Sequence, residues 1–251
     1  GFLALATSVL HLGRPVYAFR ALKMWRRSWL SREVLLFTIF SGLASLYALL
    51  WLHDLGEGEA DFRAGAKIAL GALVALTGIG GVLSSGFIYM VPARPSWNSI
   101  RTPIRFFLTA FLLGPLLTVW ISSFHPVAEK LPLVVLLGTA IGASLAQAGL
   151  LLSSLFALIQ EENPELNGTA LLLTRRFRSH FFLRLALLLI GGCFIPLGLN
   201  YSLLASSGLS VPVLGGISFA SFLLALGSEF LGRYLFFVTV VPKNMAGSFF
   251  K

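Results

Sequence analysis

The sequence predicts an all-α fold, a polytopic bundle of membrane-spanning helices, and three observations predict it. Hydrophobic residues make up 57% of the 251 and charged ones only 12%, half of the roughly 25% carried by a soluble domain. Apolar runs of spanning length, roughly 20 residues, recur along the chain between short polar intervals. Lysine and arginine collect in alternate intervals, a pattern that reports topology. The mean hydropathy of +0.86 agrees. A net charge of +9 raises the question of nucleic acid. The charges, however, are confined to inter-span loops, which leaves no free basic face for a duplex.

The first apolar run, Gly1 to Leu10, is too short to cross a bilayer and lacks the basic start of a signal peptide. It reads as the tail of a spanning helix whose beginning is missing. His11 to Glu33 follows, the longest polar interval, with Arg14, Arg20, Lys23, Arg26, Arg27 and Arg32 among Tyr17, Trp25 and Trp29. Val34 to Leu52 is span one and carries no charge. The acidic loop after His53 leads to span two, Lys67 to Val91, whose Gly71, Gly78, Gly80, Gly81 and Gly86 let a neighbouring helix approach closely.

Pro92 to Arg105 forms a second basic loop with Trp97. Span three, Thr102 to Phe124, contains Gly114-Pro115, which predicts a kink. Span four is Leu131 to Ile159. Its Gly138, Gly142 and Ala146 place a small-residue stripe on one face, a spacing that chance produces equally well in a glycine-rich sequence. Gln160 to His180 is polar: EENPELN reads as loop, and TALLLTRRFRSHFF as a short interfacial helix with a basic end. Span five, Phe181 to Leu204, is interrupted by Pro196, with Asn200 one turn later. Span six, Val213 to Val241, holds Glu229 and Arg233 four apart, a spacing suited to a self-neutralising pair. The reading is one integral-membrane domain over 1–251, with six full spans and a partial one.

Spans alternate in direction, so the loops fall on two sides. The opening loop, the Trp97 loop, the Gln160–Arg184 interval and the C-terminus carry nearly all the lysine and arginine. The other side has Arg63, Lys67 and Lys130. The positive-inside rule puts the first set in the cytoplasm. The single cysteine, Cys193, can form neither an intrachain disulfide nor a CxxC metal site.

Four histidines, His11, His53, His125 and His180, sit at span ends, two per side. Two haems with bis-histidine ligation would require imidazoles projecting into the bundle, whereas these stand at water boundaries. An interfacial histidine bonded to headgroups or loop backbone is the simpler reading for His53, His125 and His180. His11 differs because Glu33 stands at the same edge. An imidazole and a carboxylate there can each take a proton from a bound hydroxyl, as quinol oxidation requires. On spacing alone, a helix-capping His11 with Glu33 paired to Arg32 or to the helix N-terminus accounts for the residues equally well.

The segments His11-Leu12-Gly13-Arg14-Pro15, Ala18-Phe19-Arg20-Ala21-Leu22 and Ser28-Trp29-Leu30-Ser31-Arg32-Glu33 carry a likeness. Tyr89-Met90-Val91-Pro92, Arg94-Pro95-Ser96-Trp97, Thr102-Pro103 and Phe106-Phe107 support it. The sequence resembles the membrane anchor subunit of dimethyl sulfoxide reductase, the DmsC family, along essentially its whole length. The resemblance implies an eight-helix, haem-free anchor that binds and oxidises menaquinol and holds an iron–sulfur subunit and a molybdopterin catalytic subunit. Iron–sulfur clusters need cysteine ligands, which this sequence lacks, so they fall to the partner.

It further implies that His11 and Glu33 occupy the family's quinol-site positions. Arg14 is expected to complete the quinol site by supplying positive charge to Glu33, with contact to lipid phosphate as the equal alternative. Arg20, Lys23, Arg26 and Arg27 are the expected docking residues for the partner. The first loop is more basic than in the family archetype, which presents it to the periplasm. Similar anchors with cytoplasmic partners serve sulfite-oxidising, quinone-reducing enzymes, so the alternatives are such an anchor or a two-haem cytochrome b type subunit. A secondary transporter would favour charge near the midplane at broken helices, and Pro196 with Asn200 and Gly114-Pro115 bring none.

Overall fold

A computed structural model describes residues 23–57, 61–124, 130–205 and 210–243, and among them every regular element is helical. Six helical stretches are long and apolar enough to cross a membrane: Trp29–His53, Ala64–Ile88, Arg101–Ser122, Leu131–Gln160, Arg178–Leu204 and Pro212–Val238. The protein is a multi-pass membrane protein. All six expected spans are present, with ends shifted by a few residues. The described residues belong to two compact units, Gly1–Tyr89 and Met90–Lys251.

The first unit is an antiparallel hairpin of α1 (Trp29–Glu57) and α2 (Asp61–Ile88). Four glycines of α2 lie under large side chains of α1, the close approach of a neighbouring helix that the sequence predicts. A Cβ at Gly81 would stand 2.8 Å from the ring of Phe37, at Gly80 3.2 Å from Leu36, at Gly78 3.2 Å from Phe40 and at Gly71 3.4 Å from Tyr47. In lipid no hydrophobic force drives two apolar helices together, so this close van der Waals fit is what joins them. Trp29 stacks on Phe87 at one end of the hairpin, ring centroids 4.6 Å apart. At the other end Lys67 lies over the ring of Trp51, 4.2 Å from its centroid.

The second unit contains α3 (Arg101–Ser122), α4 (Lys130–Gln160), α5 (Pro164–Leu171), α6 (Arg178–Leu189), α7 (Ile195–Leu204) and α8 (Val211–Val238). Helix α3 packs on α4 and α8, α6 packs on α8, and α4 packs on α7. Leu112, Leu116, Ala140, Ala143, Ala148, Leu151, Leu188 and Ala225 form one core, and Val119, Leu133, Leu137 and Leu199 a second. Helix α3 continues through Pro115. The small-residue stripe of α4 is not a packing face within this unit. Gly138 and Gly142 have nothing within 4 Å of where a Cβ would stand, and Ala140, Ala143 and Ala148 are buried instead.

Two segments differ from the sequence reading. EENPELN is not all loop: Asn163 caps α5 through its side chain, accepting from the backbone N–H groups of Glu165 and Leu166, with Pro164 in the first turn. An asparagine cap followed by proline is a favourable helix start. Span five, expected to break at Pro196, stays helical through a π-helical turn at Ile190–Phe194 between α6 and α7. Pro196 has no N–H to offer, and a π turn disturbs the ladder of carbonyl acceptors. Serines on neighbouring helices serve the carbonyls there. Ser221 donates to Gly191 O at 2.6 Å and Ser144 to Leu188 O at 3.0 Å.

Candidate functional site

In the hairpin, Glu33 stands a little over one turn into α1. The hydroxyl of Ser85, on α2, donates to Glu33 Oε1. The same hydroxyl lies 3.1 Å from the carbonyl of Gly81 on its own helix, and its one hydrogen serves one acceptor at a time. Arg32 turns to the preceding loop. Its Nε donates to Trp25 O at 2.9 Å, its Nη2 to Arg26 O at 2.8 Å, and its guanidinium lies 4.2 Å from the Trp29 ring centroid. Glu33 is therefore held across the hairpin by a neutral donor, while Arg32 secures the loop. The stacked Trp29 and Phe87 rings lie at this same end, and Trp29 is 39% exposed.

His11, Arg14, Arg20 and His125 lie outside the described residues. Lys23, Arg26 and Arg27 are exposed, and Arg26 lies over the Trp25 ring at 5.3 Å. The Trp97 loop is tied down within the second unit. Trp97 Nε1 donates to Phe236 O at 2.9 Å, its ring stacks on Phe236, and Thr102 Oγ1 donates to Trp97 O at 2.7 Å. His180 packs against Tyr234 and Phe177, and His53 is exposed.

The sequence reading singled out Glu229 and Arg233 but not the polar centre around them inside the second unit. Glu229 on α8 is 6% exposed. Its Oε2 accepts from Thr109 Oγ1 of α3 at 2.5 Å and its Oε1 from Gln147 Nε2 of α4 at 2.7 Å. Arg184 of α6, also 6% exposed, lies close enough to Glu229 to attract it. The Arg233 guanidinium sits 3.6 Å from the ring centroid of Phe106. These groups and Arg105 line a cavity of about 270 Å³ that extends to Trp97 and Glu161.

Counting charge by side places Arg105 and Arg184 with the loops, yet both are helical, and Arg184 is buried. The available signal was position: each lies within two turns of an apolar helix start, inside the segment and not before it. Ionisable groups inside a span are costly and face partners or cavities.

The sequence model of the family described as DMSO reductase anchor subunit (DmsC) matches residues 1–238. The protein is 30% identical over 254 residues to YnfH, an anaerobic dimethyl sulfoxide reductase chain of Escherichia coli (strain K12), covering 98% of this protein and 79% of that one. It is 28% identical to a second anaerobic dimethyl sulfoxide reductase chain of the same organism, with the same two coverages of 98% and 79%. A sulfite dehydrogenase subunit of Allochromatium vinosum is 32% identical over 125 residues, which span 48% of this protein and 38% of that one. No solved structure matches.

Proposed function

Because the chain belongs to the DMSO reductase anchor subunit (DmsC) family, we propose that it is the haem-free, quinol-handling anchor of a molybdopterin oxidoreductase in a bacterial cytoplasmic membrane. It oxidises menaquinol in anaerobic respiration and has no terminal-substrate chemistry of its own. The two electrons pass to an iron–sulfur subunit, and through it to the molybdopterin subunit. The two protons leave at the membrane edge.

The observation that supports this most is the seating of Glu33. A carboxylate held by Ser85, beside a stacked tryptophan–phenylalanine pair, offers a proton acceptor and a flat apolar surface at one helix end. Quinone headgroups prefer such edges, because the ring is polar and its tail is not. In this reading His11 bonds one quinol hydroxyl and takes its proton. Glu33 relays protons to water, and Arg14 supplies positive charge nearby. The partner docks on Arg20, Lys23, Arg26 and Arg27.

The test is quinol-dependent reduction of the partner's clusters in membranes that hold normal amounts of every subunit. General-base groups contribute roughly 100- to 10,000-fold, so His11→Ala should lower the rate sharply while assembly persists. Wild-type rates in that variant would return His11 to a helix-capping role. A second reading, a quinone-reducing anchor, is favoured by the likeness to the sulfite dehydrogenase subunit and by the basic opening loop. Fast reduction of quinone by the reduced clusters, with no measurable reduction of the clusters by quinol, is the outcome that selects the second reading.

A further inference from the structure

Four guanidinium groups surround the cavity of the second unit. Arg101 and Arg105 stand on successive turns at the start of α3, Arg184 on α6 and Arg233 on α8, and all four line the same space. The acidic groups on its wall are Glu161 and Glu229. Glu229 attracts Arg184 while its two oxygens also accept from Thr109 and Gln147, so one carboxylate serves several groups. Arg105 and Arg184 are close enough to repel one another. The Nε of each is buried and meets no hydrogen-bond partner among the described residues. A buried guanidinium N–H without an acceptor carries a desolvation cost that a bound oxygen would offset.

Arg184 is also held in place. Its carbonyl accepts from Ser228 Oγ at 2.9 Å. Its guanidinium lies over Gly232, where a Cβ would stand 2.6 Å from Cζ. Glycine at 232 thus provides the room that the guanidinium occupies.

We propose that this cavity binds a phosphate-type oxyanion, held by Arg105 and Arg184, with Arg101 and Arg233 completing the charge. The planar fork of arginine matches the oxygens of a phosphate in pairs. Basic pockets between membrane helices suit the headgroups of anionic lipids. The site lies at a bundle end, walled by the Pro95–Ser99 loop and by Leu155, Leu158 and Leu173, so an acyl tail has apolar surface beside the headgroup. Gln147 Oε1, a buried acceptor without a partner among the described residues, suits a headgroup hydroxyl or a water. A phospholipid and free phosphate both present this chemistry. The assignment is independent of quinol handling in the hairpin.

The test is thermal unfolding of the full-length protein in phosphatidylcholine vesicles, with or without phosphatidylglycerol. A parallel series in phosphatidylcholine compares inorganic phosphate with chloride at equal ionic strength. Phosphatidylglycerol should raise the unfolding temperature of wild type but not of Arg105→Gln. Phosphatidylglycerol retained per protein after detergent extraction should fall about tenfold, the equivalent of one charge-assisted hydrogen bond. Arg176→Gln, an exposed change outside the cavity, controls for general attraction to the bilayer and should match wild type. Stabilisation by inorganic phosphate, lost in Arg105→Gln, would support the site with a free anion as its source.

If neither anion separates wild type from Arg105→Gln, or if Arg176→Gln loses the response equally, the proposal is overturned. The same holds if Arg105→Gln lowers stability alike in every condition, which would make the arginine structural. Should Arg105→Gln not fold, Arg101→Gln carries the same comparison.

Discussion

Ser85 of α2 donates its hydroxyl to the carboxylate of Glu33 on α1, joining residues 52 positions apart at one end of the hairpin. Removing that donor tests whether the carboxylate must be positioned. Ser85→Ala should slow quinol-dependent cluster reduction by roughly 10- to 100-fold, the worth of one hydrogen bond to a charged group. The amounts of each subunit should stay normal, and Ser85→Thr, which keeps the hydroxyl, should restore the rate. Glu33→Gln should show a smaller defect than His11→Ala. Equal rates in Ser85→Ala and wild type would make the bond a packing detail.

The exposed Lys23, Arg26 and Arg27, with Arg20 before them, should bind an acidic face of the partner. Reversing their charges should release the soluble subunits from membranes. High salt should loosen the wild-type complex in the same way, because attraction between exposed charges is screened over about 10 Å at ~0.1 M. Retention of the partner at every ionic strength would leave the loop with a topological role only.

Orientation can be read chemically. A cysteine at Gly58, in the acidic loop, should react with an impermeant thiol reagent in intact cells. One at Asn98, exposed in the Trp97 loop, should react only after the cells are opened. The reverse pattern would place the basic loops outside and trace their charge to partner docking.

The π turn in span five leaves little space. A Cβ at Gly191 would lie 2.6 Å from the backbone nitrogen of Ala225 and 2.9 Å from the carbonyl oxygen of Ser221. Backbone cannot yield as a side-chain tip does, so Gly191→Ala should cost about 1–3 kcal/mol, read as a lowered unfolding temperature in detergent. Gly198→Ala, with nothing within 4 Å, should be nearly silent.

The helical class, the six spans and their ends to within a few residues were legible in the sequence. It also showed that the glycines of α2 would let another helix approach closely. These follow from local sums: a run of apolar side chains of the right length has one stable form in lipid, where every backbone group must be bonded within its own segment. His11 and Glu33 could be singled out because they stand at one span edge, and the family likeness then made them its quinol-site positions. Composition could not show which partner Glu33 would take. Arg32 was its nearest candidate in sequence, yet the bond comes from Ser85 across the hairpin.

The polar centre of the second unit comes from packing between helices. Arg105 and Arg184 follow loop residues in sequence and could be counted with them. Only the packing of α3, α4, α6 and α8 brings them to one cavity with Glu229 and Gln147. It also turned the Gly138–Gly142 stripe away from the unit's core and supplied Ser221 and Ser144 to carbonyls around the π turn. Hydropathy is a property of each segment. The partner of a buried charge or an open carbonyl belongs to another segment, and no local pattern specifies which.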